Sequence, residues 1–233
     1  MSKKIGVIVF PGSNCDHDAY HAMKNVMNAE TKFLWHKDTD VDDIDLLIVP
    51  GGFSYGDYLR SGAIAKFSPI MNAVIDYAKK GNPVLGICNG FQILLESGLL
   101  PGAMLHNENL RFICKQVHIR VESTRSLFTG NMEKGQVIKV PVSHGEGNYF
   151  IDESGLDKLE TNEQIAFRYC DAEGKITPES NINGSVSSIA GILNESGNVL
   201  GMMPHPERAM EVRLGSEDGK LFFESVFNQL QIA

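Results

Sequence analysis

Short, nearly continuous apolar runs at Lys4–Phe10, Thr31–Trp35, Leu46–Val49 and Val84–Ile87 alternate with helical patterns over Asp16–Asn28 and Pro69–Lys80. Strands separated by helices make βαβ units, and βαβ units make a parallel sheet with helices on its faces. In an open sheet of that kind, ligands gather at the carboxyl ends of the strands. Two segments fall there, the glycine-rich stretch Gly51–Gly62 and the turn that begins at Cys88. A chain of 233 residues exceeds the usual ~100–200 residues per domain but suits one large α/β domain.

The second half changes character. Arg111–Val121, Gln136–Val142, Ile165–Tyr169, Ser187–Leu193 and Val199–Met203 read as strands joined by short turns such as Glu195-Ser196-Gly197-Asn198. They are expected as antiparallel additions to one continuous mixed sheet. Ser216–Gln231 reads as an amphipathic helix presenting Leu221, Phe222, Val226, Phe227 and Leu230 to that sheet. Asp171–Ser185, dense in Gly, Pro, Asn and Ser, reads as a surface loop.

Composition removes several function classes. A net charge of −8 disfavours a nucleic-acid surface. Cys15, Cys88, Cys114 and Cys170 are scattered with no C-x-x-C pair, against zinc ribbons, redox dithiols and a disulfide framework. The apolar run behind Lys4 is too short for a secretory signal, and no stretch approaches the ~20 apolar residues of a membrane span. The expected location is cytoplasmic.

Gly86-Ile87-Cys88-Asn89-Gly90-Phe91-Gln92 places a cysteine between a strand and a helix, with a glycine two residues to either side. That is the pattern of a nucleophile elbow, in which glycines let neighbouring backbone pass close to a strained residue. Helix N-termini also favour anions, so a thiolate is at home there. On these residues alone Cys88 is either a nucleophile or a small buried hydrophobe.

A nucleophilic thiol needs a base and a group that orients the base. His205 stands in Met203-Pro204-His205-Pro206-Glu207, where proline on both sides excludes helix and favours extended backbone. Residues two apart on an extended chain face the same way, so His205 and Glu207 are expected to pair. A solvated surface pair is the alternative for His-x-Glu in isolation. Oxyanion donors are available in the backbone N–H of Asn89 and of Gly52 or Phe53, after the strand that ends Val49-Pro50-Gly51.

Together, Gly86–Gln92 and Pro204-His205-Pro206-Glu207 resemble the class I (triad) glutamine amidotransferase family. Gly12-Ser13-Asn14-Cys15-Asp16, Pro50–Ala63, Asn89 in the elbow and Ser143-His144-Gly145-Glu146-Gly147 further resemble the glutaminase subunits of phosphoribosylformylglycinamidine synthases. Other amidotransferases commonly carry Gly-x-Gln after the elbow cysteine, where this chain has Asn89-Gly90-Phe91-Gln92. The resemblance spans essentially the whole chain, residues 1–233 as a single amidotransferase domain. It implies a flavodoxin-like three-layer sandwich, mainly parallel, and a Cys88-His205-Glu207 triad acting on glutamine. Gly51, Gly52, Phe53 and Asn89 would serve the oxyanion or substrate, and Gln92, Ser143, His144 and Gly145 would hold the glutamine. His144 has a competing role as base, without a proline-fixed orienter beside it.

The resemblance also implies no metal or organic cofactor in this chain, with ATP and Mg on a partner synthetase subunit and a small bridging subunit in the assembly. In keeping with this, the sequence lacks a Walker-type loop, and Gly145-x-Gly147 has Phe150 where a dinucleotide fingerprint wants glycine. Tyr55–Arg60 is the expected docking surface. A partner-independent thiol hydrolase and a non-catalytic regulatory chain on the same fold are the competing expectations.

Overall fold

The structure is a computed structural model describing residues 2–232; Met1 and Ala233, the ends of the expected 1–233 span, lie outside the described residues. The first half forms β1 (Lys4–Val9), α1 (Asp16–His21), β2 (Glu30–Trp35), β3 (Leu46–Val49), α2 (Pro69–Lys79), β4 (Val84–Ile87) and α3 (Asn89–Glu96). α1 runs on into a π-helical turn over Ala22–Val26, so the helical pattern is used almost to its expected end. The second half adds β5 (Ala103–Leu105), β6 (Ile113–Val121), β7 (Val137–His144), β8 (Asn148–Phe150), α4 (Glu153–Thr161), β9 (Ile165–Cys170), β10 (Ile189–Leu193), β11 (Val199–Met202) and α5 (Asp218–Ile232).

One nine-stranded sheet has the order β2-β1-β3-β4-β11-β10-β9-β6-β7. β2, β1, β3 and β4 are parallel to one another, and β10, β9, β6 and β7 extend the sheet antiparallel. The mixed α/β architecture is the expected one. β11 departs from expectation: it is antiparallel to β10 but parallel to β4, with Gly201 opposite Gly86 and Met202 opposite Ile87. The tight turn at Glu195–Asn198 dictates the hairpin and nothing more; the free edge of β4 recruits the other side of β11. The residues following β4 and β11 therefore emerge side by side.

The apolar runs became strands because every side chain on β3, β4, β10 and β11 is buried. α2 covers the sheet with Ile70, Met71, Val74 and Tyr77, whose hydroxyl donates to the Ile44 carbonyl at 2.8 Å. α5 buries Phe222, Phe223, Val226 and Leu230, whereas Leu221 is 45 % exposed. The helical repeat thus selects Phe223 over the expected Leu221.

Two further features were not anticipated. α4 is capped by Asp152, which accepts the Gly155 N–H at 2.8 Å, and only Leu159 on it is fully buried; so little apolar periodicity leaves no sequence signal. The second is in Asp171–Ser185, where Asn183 and Ser185 are buried rather than on the surface. Both bond the Gly147 carbonyl, and polar groups can be buried when they are satisfied in this way.

The tightest packing lies under the Cys88 turn. A Cβ on Gly90 would stand 1.8 Å from the Val49 carbonyl oxygen. Gly90→Ala is therefore expected to lower the stability by more than ~2 kcal/mol, or to prevent folding. Urea unfolding of the variant beside the parent chain checks this.

Candidate active site

Cys88 has φ 51° and ψ −107°, a backbone conformation that side-chain-bearing residues rarely adopt. Such a residue costs on the order of 1–3 kcal/mol and persists only where its surroundings over-determine it. Here they do. Its N–H donates to the Met202 carbonyl at 2.8 Å, fixing it to β11, and its own carbonyl accepts from Gln92 N–H at 3.2 Å as α3 begins. Gly86 and Gly90 supply the closeness: a Cβ on Gly86 would lie 2.8 Å from the Gly90 carbonyl oxygen. The Cys88 thiol donates to the Ser143 carbonyl at 3.6 Å and borders a cleft of about 170 Å³.

His205 follows β11 directly, and its N–H donates to the Pro141 carbonyl at 2.8 Å. Its Nδ1 lies 2.6 Å from Glu207 Oε1, with both side chains 1 % exposed. The pairing is as expected, but its backbone cause differs. Pro206 opens a 3-10 turn over Pro206–Arg208, because proline is tolerated at the first position of a helical turn; this turn, and not extended chain, brings Glu207 under the ring. Burial lowers the proton affinity of His205, but the Glu207 carboxylate and the Cys88 sulfur outweigh it and raise the pKa to about 10. Nε2 is buried and has no hydrogen-bond partner among the described residues.

Gly51 lets the cysteine and the histidine approach each other. A Cβ on it would stand 2.9 Å from His205 Cε1 and 3.3 Å from Cys88 Cβ. Gly52, at φ 122°, turns the chain onward where a Cβ would meet the Asn14 amide at 2.5 Å. Of the two expected donors on this loop, the Phe53 N–H is taken by the Gly12 carbonyl at 3.2 Å. That leaves Gly52 to face the cleft with the start of α3. The Asn89 side chain is fully used inside the protein: Oδ1 accepts from Ser54 N–H at 3.2 Å, and Nδ2 donates to Asp57 at 3.2 Å and to Gln92 Oε1 at 2.9 Å. Gln92 in turn donates to the Glu146 carbonyl at 2.6 Å, so it braces the segment after Ser143 as well as bordering the cleft.

That segment is held from behind by Asn107, a residue with no motif around it to single it out. Asn107 is wholly buried; its Nδ2 donates to the Arg111 and His144 carbonyls, and its Oδ1 accepts from Gly147 N–H at 3.0 Å. With Oδ1 an acceptor, the 3.0 Å contact to His144 Nδ1 makes that nitrogen the N–H of a neutral imidazole. Burial, reinforced by His205, lowers His144 to about 4. The ring is thus neutral and locked on Asn107, and unlike His205 it has no carboxylate bonded to it.

The cleft also carries two carboxyl groups outside the expected set. Asp57 is pushed up to about 6, by burial first and then by the charge of Glu146, against hydrogen bonds from Ser61 and Asn89. Glu146 accepts from Ser61 N–H at 3.3 Å and faces His106 at 3.7 Å. Both stand in motifs quoted from the sequence, yet their convergence depends on the fold.

A second thiol lies behind the histidine. Cys15 Sγ, a ring nitrogen of His205 and a carboxylate oxygen of Glu207 lie within 4.8 Å of one another, a spacing that could hold a metal. The donor set does not fit one: the Arg208 guanidinium donates to Cys15 Sγ at 3.0 Å, and burial, followed by the charge of Glu207, pushes the thiol strongly up. A metal would have to displace both that cation and that proton. Cys15 also lies outside the lining of the cleft that Cys88 borders.

The model of the CobB/CobQ-like glutamine amidotransferase domain matches residues 2–217. The chain is 57 % identical over 232 residues to phosphoribosylformylglycinamidine synthase subunit PurQ of Salinibacter ruber, covering 100 % of this chain and 99 % of that one. It is 58 % identical over 223 residues to the subunit of the same name in Koribacter versatilis, with 96 % of each covered. Among solved structures, a chain in PurLQS from Thermotoga maritima superimposes with a TM-score of 0.86 at 46 % identity, covering 99 % of this chain and 100 % of that one.

The Asp57 environment has a consequence for stability. Its folded pKa of about 6 lies above the ordinary value of 3.8, so the folded state holds the proton longer. Stability from this group is therefore full at low pH and falls as pH rises through that interval. Asp57→Asn is expected to raise the melting temperature at pH 8, with the gain fading below about pH 4. Calorimetry across that range tests it, and an unchanged difference at every pH would refute the assignment.

Proposed function

The chain belongs to the CobB/CobQ-like glutamine amidotransferase domain family, and on that premise we propose that it is the glutaminase subunit of a phosphoribosylformylglycinamidine synthase in purine biosynthesis. It releases ammonia from glutamine for a partner synthetase that converts formylglycinamide ribonucleotide to formylglycinamidine ribonucleotide. The observation that carries this reading is a strained, cleft-facing Cys88 beside a buried His205–Glu207 pair. The whole chain, 1–233, is read as one such domain.

In the proposed reaction the Cys88 sulfur leaves the Ser143 carbonyl, passes its proton to His205 Nε2 and attacks the side-chain amide carbon of glutamine. Glu207 holds the ring by Nδ1, so Nε2 is the end that exchanges protons. Gly52 and Asn89 backbone N–H groups receive the oxyanion as the tetrahedral adduct forms. Gly51 keeps the passage open for the ring and the thiol. The adduct collapses when His205 returns its proton to the amide nitrogen; ammonia departs and a γ-glutamyl thioester remains on Cys88. Water, deprotonated by His205, then adds to the thioester and releases glutamate and the thiol.

The glutamine side chain enters the cleft bordered by Gln92, Phe53, Ser143, His144 and Gly145, with its α-ammonium beside Asp57 and Glu146. A cation there relieves the repulsion that raises Asp57. No metal or organic cofactor takes part in this chain; ATP and Mg belong to the synthetase.

Ammonia released to water is protonated at neutral pH and loses its nucleophilicity, so a glutaminase of this kind works against its synthetase, with a small bridging subunit in the assembly. The exposed Tyr58 and Leu59, 73 % and 91 % accessible on the loop that carries Asp57, support docking there over a partner-independent hydrolase. Among the described residues no helix is long and apolar enough to cross a membrane. We place the complex in the cytoplasm, with no nucleic-acid partner.

Cys88→Ala is expected to abolish glutamine-dependent synthesis in the reconstituted complex while synthesis from added ammonia continues; full glutamine-dependent activity would remove Cys88 from its role. A glutamine-like electrophile should label Cys88 ahead of Cys15, Cys114 and Cys170, as read by peptide mass spectrometry.

A further inference from the structure

Glu207 uses only one of its two oxygens. Oε1 holds His205, while Oε2 is buried without a hydrogen-bond partner among the described residues. A buried carboxylate oxygen left in this way is costly unless a cation lies near. The residue after Glu207 in the same 3-10 turn is Arg208, whose guanidinium reaches back in two directions. Nε donates to Asp18 Oδ2 at 2.8 Å and Nη2 donates to Cys15 Sγ at 3.0 Å. Cys15, 3 % exposed, has its sulfur within 4.8 Å of a Glu207 oxygen and of a His205 ring nitrogen.

Resting on the amidotransferase reading above, we propose that Cys15 and Arg208 are positioning residues for Glu207: Cys15 sulfur and Asp18 hold the Arg208 guanidinium behind the carboxylate, and that cation fixes Glu207 against His205. The thiol hydrogen is given to Asn14 Oδ1 at 3.4 Å, which turns the sulfur lone pairs to the Arg208 guanidinium. Burial and the Glu207 charge keep that hydrogen on sulfur, so Cys15 remains a donor. The Arg208 cation offsets the buried carboxylate, and Asp18 anchors the guanidinium on α1. The first βα unit is thereby tied to the last turn of the site, with Glu207 bonded to His205 on one side and faced by the held Arg208 cation on the other.

The test uses the complex reconstituted with its synthetase and measures glutamine-dependent and ammonia-dependent synthesis in parallel. Cys15→Ala is expected to lower the glutamine-dependent kcat about tenfold, the effect of one lost buried hydrogen bond, with KM within about twofold. Cys15→Ser, which keeps an acceptor for Arg208, should restore most of the loss, and Arg208→Met should fall as Cys15→Ala does while Arg208→Lys recovers part of it. Ammonia-dependent synthesis should be unchanged throughout. If Cys15→Ala proves unable to fold, the Arg208 pair carries the same comparison.

Full kcat in Cys15→Ala and Arg208→Met overturns the proposal, as does a loss that serine and lysine do not repair. A γ-glutamyl adduct on Cys15 overturns it by making Cys15 a nucleophile. Cys88→Ala serves as the discriminating control. Glutamine-dependent activity surviving in it sinks the amidotransferase triad itself, whereas its loss beside full activity in the Cys15 and Arg208 variants sinks this inference alone.

Discussion

Everything at this site depends on one close approach, that of α3 to the end of β3. Gly90 passes so near the Val49 carbonyl that no side chain fits between them. The helix must therefore start within a residue of the strand, and Cys88 is driven to positive φ to make the turn. The strain is held by packing of the fully buried β4 and by the hydrogen bond from Cys88 N–H to Met202. Relaxing either would return the thiol to an ordinary buried position, where it could contribute only packing.

The second constraint is electrostatic. A histidine, a carboxylate and two thiols share a volume from which water is largely excluded, and each charge there requires a partner. His205 is raised by neighbours that more than offset its burial, His144 nearby is kept neutral, and Arg208 supplies a cation at the rear. Similar side chains thus take unlike protonation states within one cluster. Such separation supports the roles proposed for the two imidazoles, proton exchange at His205 and holding at His144.

Much of this was readable from local chemistry. Glycines two residues either side of Cys88 and prolines either side of His205 restrict their own backbones, so those positions announce themselves without any partner. Glu207 was found through its spacing from His205, although a 3-10 turn realises the pairing. Asn107, Arg208, Asp57 and Glu146 gave no comparable signal as a group. Their roles rest on contacts with distant residues, as when Asn107 gathers His144 and Gly147. The same reason hid Asn183 and Ser185 inside what reads as an ordinary polar loop.

By itself the amino-acid sequence determined the elements and the special turns: apolar runs that must be buried, an elbow that only glycine permits, and a histidine confined by prolines. These are short-range effects, settled by sterics and solvation within a few residues. Which turns meet was decided by tertiary structure, because parallel pairing of β11 with β4 is a contact between segments far apart in the chain. A hairpin signal at Glu195–Asn198 specified one neighbour of β11 and was silent about the other. The free hydrogen-bonding edge and the buried apolar faces of β4 supplied that second choice, and with it the meeting of Cys88 and His205.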